Sequence, residues 1–301
     1  MKVIVSGATS MLGLAVTKQF LDNGHDVYAI VRPNSSKTDT LPKSSRLHVL
    51  EADLGQYEEL KPVKADIFYH FAWAGTDKKS RQSLEIQMQN VQYTASALAF
   101  AAQCHCKKFI GAGSQAEYGK QKCLISEKTL PAPDTPYGIA KLSAGLHCMY
   151  TAKELDITCV WARIFSVYGV HDNKDTMIMS SVDKAVRGEK LCMSSCEQTW
   201  NYIYEDDAAG LFYQLGIRDV SAGVYNLANN KSRTLKEYVE LMVKAIRRDG
   251  IEVPDPEFDA SIKPTAYLNA DTRKIYQATG YTPEVSFIKG IHRIIAERKN
   301  A

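Results

Sequence analysis

The chain has 301 residues, enough for one large or two modest domains at about 150 residues each and for a sizeable buried core. Its 45% hydrophobic and 24% charged residues exclude a disordered or fibrous chain, and a net charge of +3 spread over scattered Lys and Arg offers no basic block for a nucleic-acid surface. No apolar run approaches the roughly 20 residues of a membrane span, and the seven cysteines lack C-x-x-C pairing, so reduced thiols, no metal site and a soluble cytoplasmic protein are expected.

Residues 1–13 read as a strand and a turn rather than a signal peptide. Val3 to Ser6 is the first β-branched run; the turn "SGATSMLG" (6–13) follows, and then a helical pattern from Met11 to Asn23 that Gly24 would end. Val27 to Val31, Leu47 to Leu50, Ile67 to Phe71 and Lys108 to Gly113 read as further strands. Between the last two, Ile86 to Gln103 carries Val91, Ala95, Leu98 and Ala102 at helical spacing. This alternation predicts an α/β fold, a doubly wound parallel sheet with helices on both faces. After about residue 165 the rhythm loosens. "GVYNLA" (223–228) would return one strand to the sheet, so that 1–169 with about 199–228 form the sheet domain and 170–198 with 229–301 a smaller cap. "IEVPDPEFDASIKP" (251–264) reads as a loop.

A glycine-bearing strand-to-helix turn can hold a phosphate, because positive backbone angles bend the chain and a missing Cβ lets the ligand reach the free N–H groups of the helix. Gly7 and Gly13 serve this purpose, whereas Ser10 stands where a third glycine is expected and brings a hydroxyl that can cap the helix or donate to phosphate. Taken alone, the stretch is equally an ordinary capped turn. Further on, "TPYGIAK" places Tyr137 and Lys141 four apart on one helical face, where an ammonium near a phenol favours the phenolate. "GAGSQAEYG" puts Ser114 at the carboxyl end of the fifth strand, where open α/β sheets bind ligands. Each has a plain alternative: a solvated Tyr–Lys pair, and a serine that caps a turn.

Along nearly its whole length the chain resembles the extended short-chain dehydrogenase/reductase superfamily, which includes nucleotide-sugar epimerases, dehydratases and 4-ketoreductases. "SGATSMLG" is similar to its glycine-rich turn, "EADLG" to its acidic adenine contact, "DIFYHFAWAG" to its fourth-strand segment and "QNVQYT" around Asn90 to its Asn-Val brace. "GSQAEYG" and "PYGIAK" resemble its catalytic Ser and Tyr-x-x-x-Lys, and "ARIFSVYG" and "WNYIYEDDAAG" two later segments. The resemblance implies that Tyr137 is a general acid or base on a sugar oxygen, that Ser114 polarises that oxygen, and that Lys141 binds the nicotinamide ribose. It implies cofactor contacts at Gly7, Thr9, Ser10, Met11, Leu12, Gly13, Asp53, Leu54, Phe71 and Ala72, as well as Tyr137 and Lys141. Substrate contacts are expected at Trp73, Gln115, Glu117, Tyr118, Arg163, Phe165 and Ser166. For Glu117, Tyr118 and "ARIFSVYG" simple packing is the alternative. His70 reads as a satisfied histidine, and a homodimer is what the family implies.

The second strand ends at Val31, where an acid for the NAD ribose is expected, and Arg32 follows with Ser35, Ser36 and Lys37 close behind. A guanidinium fork with hydroxyl donors suits a 2′-phosphate, which favours NADP(H) over NAD(H). Ser166 and Trp200 stand where the family's epimerases usually carry Asn and Arg, and Gln115-Ala116 where its dehydratases often carry Asp-Glu. The expectation is therefore an NADP(H)-dependent reduction of the 4-keto group of a nucleotide-diphospho-4-keto-6-deoxyhexose in deoxysugar biosynthesis. The alternatives are a nucleotide-sugar 4-epimerase with retained NAD and a dinucleotide-sensing protein without turnover.

Overall fold

The structure, a computed structural model, describes residues 1–262 and 267–300. Strand β1 (Lys2–Ser6) buries Val3, Ile4 and Val5 and feeds helix α1 (Met11–Asp22). The Ser10 side chain caps that helix, accepting the Gly13 N–H at 3.1 Å, and Gly24 ends it at φ +73°. The chain continues through β2 (Asp26–Val31), β3 (Leu47–Glu51) and β4 (Ile67–His70) to helix α2 (Leu84–Gln103), two residues longer at its start than the apolar spacing predicts because Ser83 caps it. Strand β5 (Lys108–Ser114), helix α3 (Pro136–Glu154), β6 (Thr158–Ile164) and β7 (Ser166–Tyr168) follow.

Beyond these come α4 (Met177–Val186), β8 (Cys192–Ser194), β9 (Thr199–Trp200), β10 (Tyr202–Tyr204), α5 (Glu205–Ile217) and β11 (Gly223–Leu227). The chain ends with β12 (Arg233–Thr234), α6 (Leu235–Arg248), β13 (Glu257–Asp259), α7 (Arg273–Thr279) and α8 (Phe287–Asn300).

Seven strands form one parallel sheet in the order β11-β6-β5-β4-β1-β2-β3; "GVYNLA" supplies the returning strand expected of it, and the structure places that strand at the edge. The order reverses between β1 and β4, which opens a crevice at their carboxyl ends, where α/β sheets take ligands. Helices α1 and α5 pack on one face, and α2 and α3 on the other. A separate core joins Ile178, Met179 and Val182 of α4 to Val239, Met242 and Ile246 of α6 and Ile291, Ile294 and Ile295 of α8. The proline-bearing loop contains β13, which pairs in parallel with β8; its Pro264 lies outside the described residues.

Candidate active site

The turn at 6–13 folds as a tight hinge between β1 and α1. Gly7 sits at φ +70°, and a Cβ there would come within 2.7 Å of the Ala72 nitrogen, so glycine is required where the turn meets the exit of β4. Gly13 is equally confined: its Cβ would lie against the Gly7 carbonyl. The Ser10 N–H goes to the Gly7 carbonyl and the Gly13 N–H to the Ser10 hydroxyl, so the Met11 and Leu12 N–H groups are the donors left at the helix terminus.

A cleft of about 480 Å³ opens beside this terminus, lined by Gly7, Thr9, Ser10, Leu54, Phe71 and Ala72, with Arg32 and Lys37 at the end of β2. No carboxylate follows β2 there; Val31 is buried and Arg32 exposed. Free helix N–H groups, a turn in which Gly7 leaves the approach open and the two cations Arg32 and Lys37 fit a phosphate-bearing dinucleotide. Two expected contacts differ. Asp53 is exposed and outside the cleft lining, its N–H accepted by the Gln56 side chain, and Ser35 uses its hydroxyl to accept the Lys37 N–H. His70, buried under the turn, bonds Ser6 at 2.8 Å and Thr94 at 3.2 Å, and burial pushes its pKa down to about 3. It is a neutral structural histidine. Asn90 braces the exit of β4, accepting the Ala74 N–H at 2.7 Å and donating to the Ala74 carbonyl at 3.0 Å.

A second cavity, of about 370 Å³, adjoins the cleft and shares Ser10, Phe71, Trp73 and Thr76 with it. Ser114, Gln115, Tyr137, Lys141, Phe165 and Ser166 all line it. Ser114 arrives at the end of β5 and caps the turn Gln115–Tyr118. Tyr137 and Lys141 come from the first turns of α3, which Thr135 caps by accepting the Gly138 N–H. Burial raises the Tyr137 pKa, while the Arg81 charge and Ser114 lower it in part and Glu117 opposes them. Lys141 is 4% exposed; it donates to the Ala112 carbonyl at 2.7 Å and lies 3.5 Å above the centre of the Trp73 ring. Its pKa falls to about 7, mainly through burial.

Three expected substrate contacts lie behind the cavity wall. Glu117 is fully buried: its carboxylate accepts the Ser114 N–H at 2.8 Å, Trp161 Nε1 at 2.9 Å and Arg163 Nε at 2.6 Å. Arg163 also stacks on the Tyr118 ring, and the Tyr118 hydroxyl donates to Asn226 of β11 at 2.6 Å. These polar groups serve one another rather than a ligand, and they fix the turn that carries Ser114. Ser166 is committed as well, accepting Trp200 Nε1 at 2.9 Å. Sequence reasoning missed Arg81, whose guanidinium carbon sits 4.6 Å from the centre of the Tyr137 ring. It lies in the polar stretch 76–83, where no periodicity marks a position as facing inward.

The chain is similar to several known proteins. The chain is 27% identical over 249 residues to a dTDP-6-deoxy-L-talose 4-dehydrogenase (NAD(+)) of Aggregatibacter actinomycetemcomitans, covering 80% of this chain and 88% of the relative. A UDP-glucose 4-epimerase of Corynebacterium glutamicum is 23% identical over 313 residues, covering 97% and 93%. Among solved structures, MoeE5 in complex with UDP-glucuronic acid and NAD superposes with a TM-score of 0.83 at 22% identity, covering all of both chains. The sequence model of the NAD dependent epimerase/dehydratase family matches residues 3–228, and the chain belongs to that family as an NAD(P)-dependent enzyme of the extended short-chain dehydrogenase/reductase type.

Proposed function

We propose that this protein is an NADP(H)-dependent 4-ketoreductase acting on a nucleotide-diphospho-4-keto-6-deoxyhexose. The observation that carries the reading is the convergence of Ser114, Tyr137 and Lys141 on a cavity continuous with the cleft at the α1 terminus. When bound in that cleft, the dinucleotide supplies the hydride. The Met11 and Leu12 N–H groups and the dipole of α1 would hold its pyrophosphate, while Arg32 and Lys37 would meet a 2′-phosphate. Tyr137 gives its phenolic proton to the carbonyl oxygen as that oxygen gains charge, and the Ser114 hydroxyl donates to the same atom. The raised Tyr137 pKa keeps the phenol protonated at neutral pH, the form a reductase needs.

The relative named as a 4-dehydrogenase of a 6-deoxyhexose supports this reading, because the reverse of its named reaction is a 4-keto reduction. Its name and the similar structures refer to NAD; the NADP(H) assignment rests on this chain's own Val31, Arg32 and Lys37. The proposal includes residues 170–198 and 229–301 as the substrate-binding cap, and a homodimer for which the exposed Leu84, Met88, Leu146 and Tyr150 of α2 and α3 offer an apolar face. The test is nicotinamide oxidation against a panel of nucleotide-linked 4-keto-6-deoxyhexoses, with NADPH and NADH in parallel. Faster oxidation of NADPH, with the preference lost in Arg32→Ala, is expected. Inversion of a UDP-hexose at C4 without net oxidation would establish the epimerase reading that the Corynebacterium relative favours.

A further inference from the structure

The cleft beside the α1 terminus has one lining residue from far along the chain. Asn173 lies in the loop 170–176 that joins β7 to α4, whereas all the other lining residues fall between Gly7 and Asp77. Asn173 is exposed, and its amide oxygen accepts the Asp175 N–H at 3.0 Å. Its amide nitrogen has no partner among the described residues and is left to donate into the cleft.

Glu205, the first residue of α5, holds this loop from beneath. It is 2% exposed, and its carboxylate accepts the Val170 N–H at 3.0 Å and the His171 N–H at 3.4 Å while lying 3.1 Å from His171 Nδ1. A carboxylate out of water needs such partners, and all those it has among the described residues are on this loop. Gly169 makes the room, because a Cβ there would sit 2.3 Å from the Glu205 carboxyl carbon. Within the loop the hold passes to Asn173. The Asp172 N–H donates to the Gly169 carbonyl at 3.2 Å, and the Asp172 carboxylate accepts the Asn173 N–H at 2.7 Å and the Thr176 hydroxyl at 2.9 Å. The Asn173 carbonyl accepts the Thr176 N–H at 3.0 Å, one residue before α4 begins.

We propose that Glu205 is a positioning residue for the dinucleotide: by fixing the loop 170–176 it keeps Asn173 at the cleft, where the Asn173 amide donates to an acceptor oxygen of the bound cofactor. The inference rests on the reading of that cleft as the dinucleotide site. Glu205 is not part of the cleft lining and acts through the loop. Part of the hold is electrostatic. His171 faces Glu205 and Asp206 of α5 and Glu297 of α8, with Asp172 beside it in the chain; Arg293 occupies Asp206. The bond to Glu205 raises the His171 pKa above its usual 6.5, so the charged pair is present at low pH and lost as pH rises through the folded value. Asp172, which burial pushes up to about 6, is largely ionised above that pH and keeps its bonds inside the loop.

The test is fluorescence titration of the full chain with NADPH and with NADH, using whichever the wild type binds. Asn173→Ala and Glu205→Gln should each weaken binding by about three- to tenfold, the loss of one hydrogen bond, and the double variant should bind no more weakly than the weaker single one. Hydrogen exchange of the amides in 170–176 should be faster in Glu205→Gln than in wild type. His171→Gln, a donor that does not titrate, supplies the pH readout that a merely structural carboxylate would not move. The ratio of wild-type to His171→Gln affinity should fall as pH rises from about 6.5 to about 9, modestly because His171 is half-exposed. Unchanged affinity in Glu205→Gln, losses that multiply in the double variant, or a ratio flat with pH would overturn the proposal. A wild type that binds neither NADPH nor NADH would instead remove the reading of the cleft, and this role with it, whatever the exchange rates of the loop.

Discussion

Lys141→Met should stabilise the protein while abolishing turnover. The lysine is 4% exposed, and its pKa drops from 10.5 to about 7 in the fold, so holding it charged at neutral pH costs up to about 5 kcal/mol at roughly 1.4 kcal/mol per pH unit. A methionine of similar length removes that cost but forgoes the bond to the Ala112 carbonyl and the contact with Trp73, together about 1–3 kcal/mol. The net gain expected at pH 7 is about 2–4 kcal/mol. The folded pKa lies below the unfolded one, so the unfolded chain binds more protons between about pH 7 and 10.5. Wild-type stability therefore rises with pH across that window, and the advantage of the variant shrinks by up to about 1.4 kcal/mol per pH unit. Urea denaturation of both proteins at a series of pH values reads this directly. A variant less stable than wild type at neutral pH, or an advantage that does not change with pH, would refute the reasoning.

Three further outcomes follow from packing. Trp161 is 1% exposed and fills the space left by Gly111, Gly113 and Gly145, so Trp161→Ala should cost about 3–5 kcal/mol in urea denaturation. Glu117→Gln leaves the Arg163 guanidinium buried without its counter-ion and should cost about 3–5 kcal/mol, much of it recovered in the double variant Glu117→Gln/Arg163→Met, as a double-mutant cycle would reveal. Gly7→Ala forces a Cβ against the Ala72 backbone at a positive φ; fluorescence titration with NADPH should show affinity reduced roughly five- to 150-fold, the equivalent of about 1–3 kcal/mol of strain.

Much of the fold was legible because its signals are local. β-branched runs bounded by turn residues mark the strands of the sheet, Gly24 stops α1, and "GVYNLA" carries enough β-branched and aromatic character to be read as a strand returning to the sheet. The grouping of the candidate residues was legible where position is local, with Ser114 at a strand end and Tyr137 with Lys141 at a helix start, and all three line one cavity. It was misleading where burial decides. Glu117 and Tyr118 follow Ser114 closely in sequence and, with Arg163 of β6, look like ligand contacts, yet the alternation of β6 and the glycines of β5 bring Trp161 beneath them and close a buried polar cluster. Nothing in the pattern could have shown that Lys141 turns to Trp73 while Arg81 covers Tyr137. That arrangement depends on how the loop after β4 returns across the mouth of the cavity.

The most direct measurement counts nicotinamide oxidised per sugar hydroxyl formed when the purified enzyme meets a nucleotide-linked 4-keto-6-deoxyhexose and NADPH. Hydride transfer with Tyr137 as proton donor predicts one NADPH consumed for each C4 hydroxyl, and near-complete loss of that reaction in Tyr137→Phe with NADPH binding retained. Sugar turned over without net consumption of NADPH, or undiminished turnover in Tyr137→Phe, would contradict it.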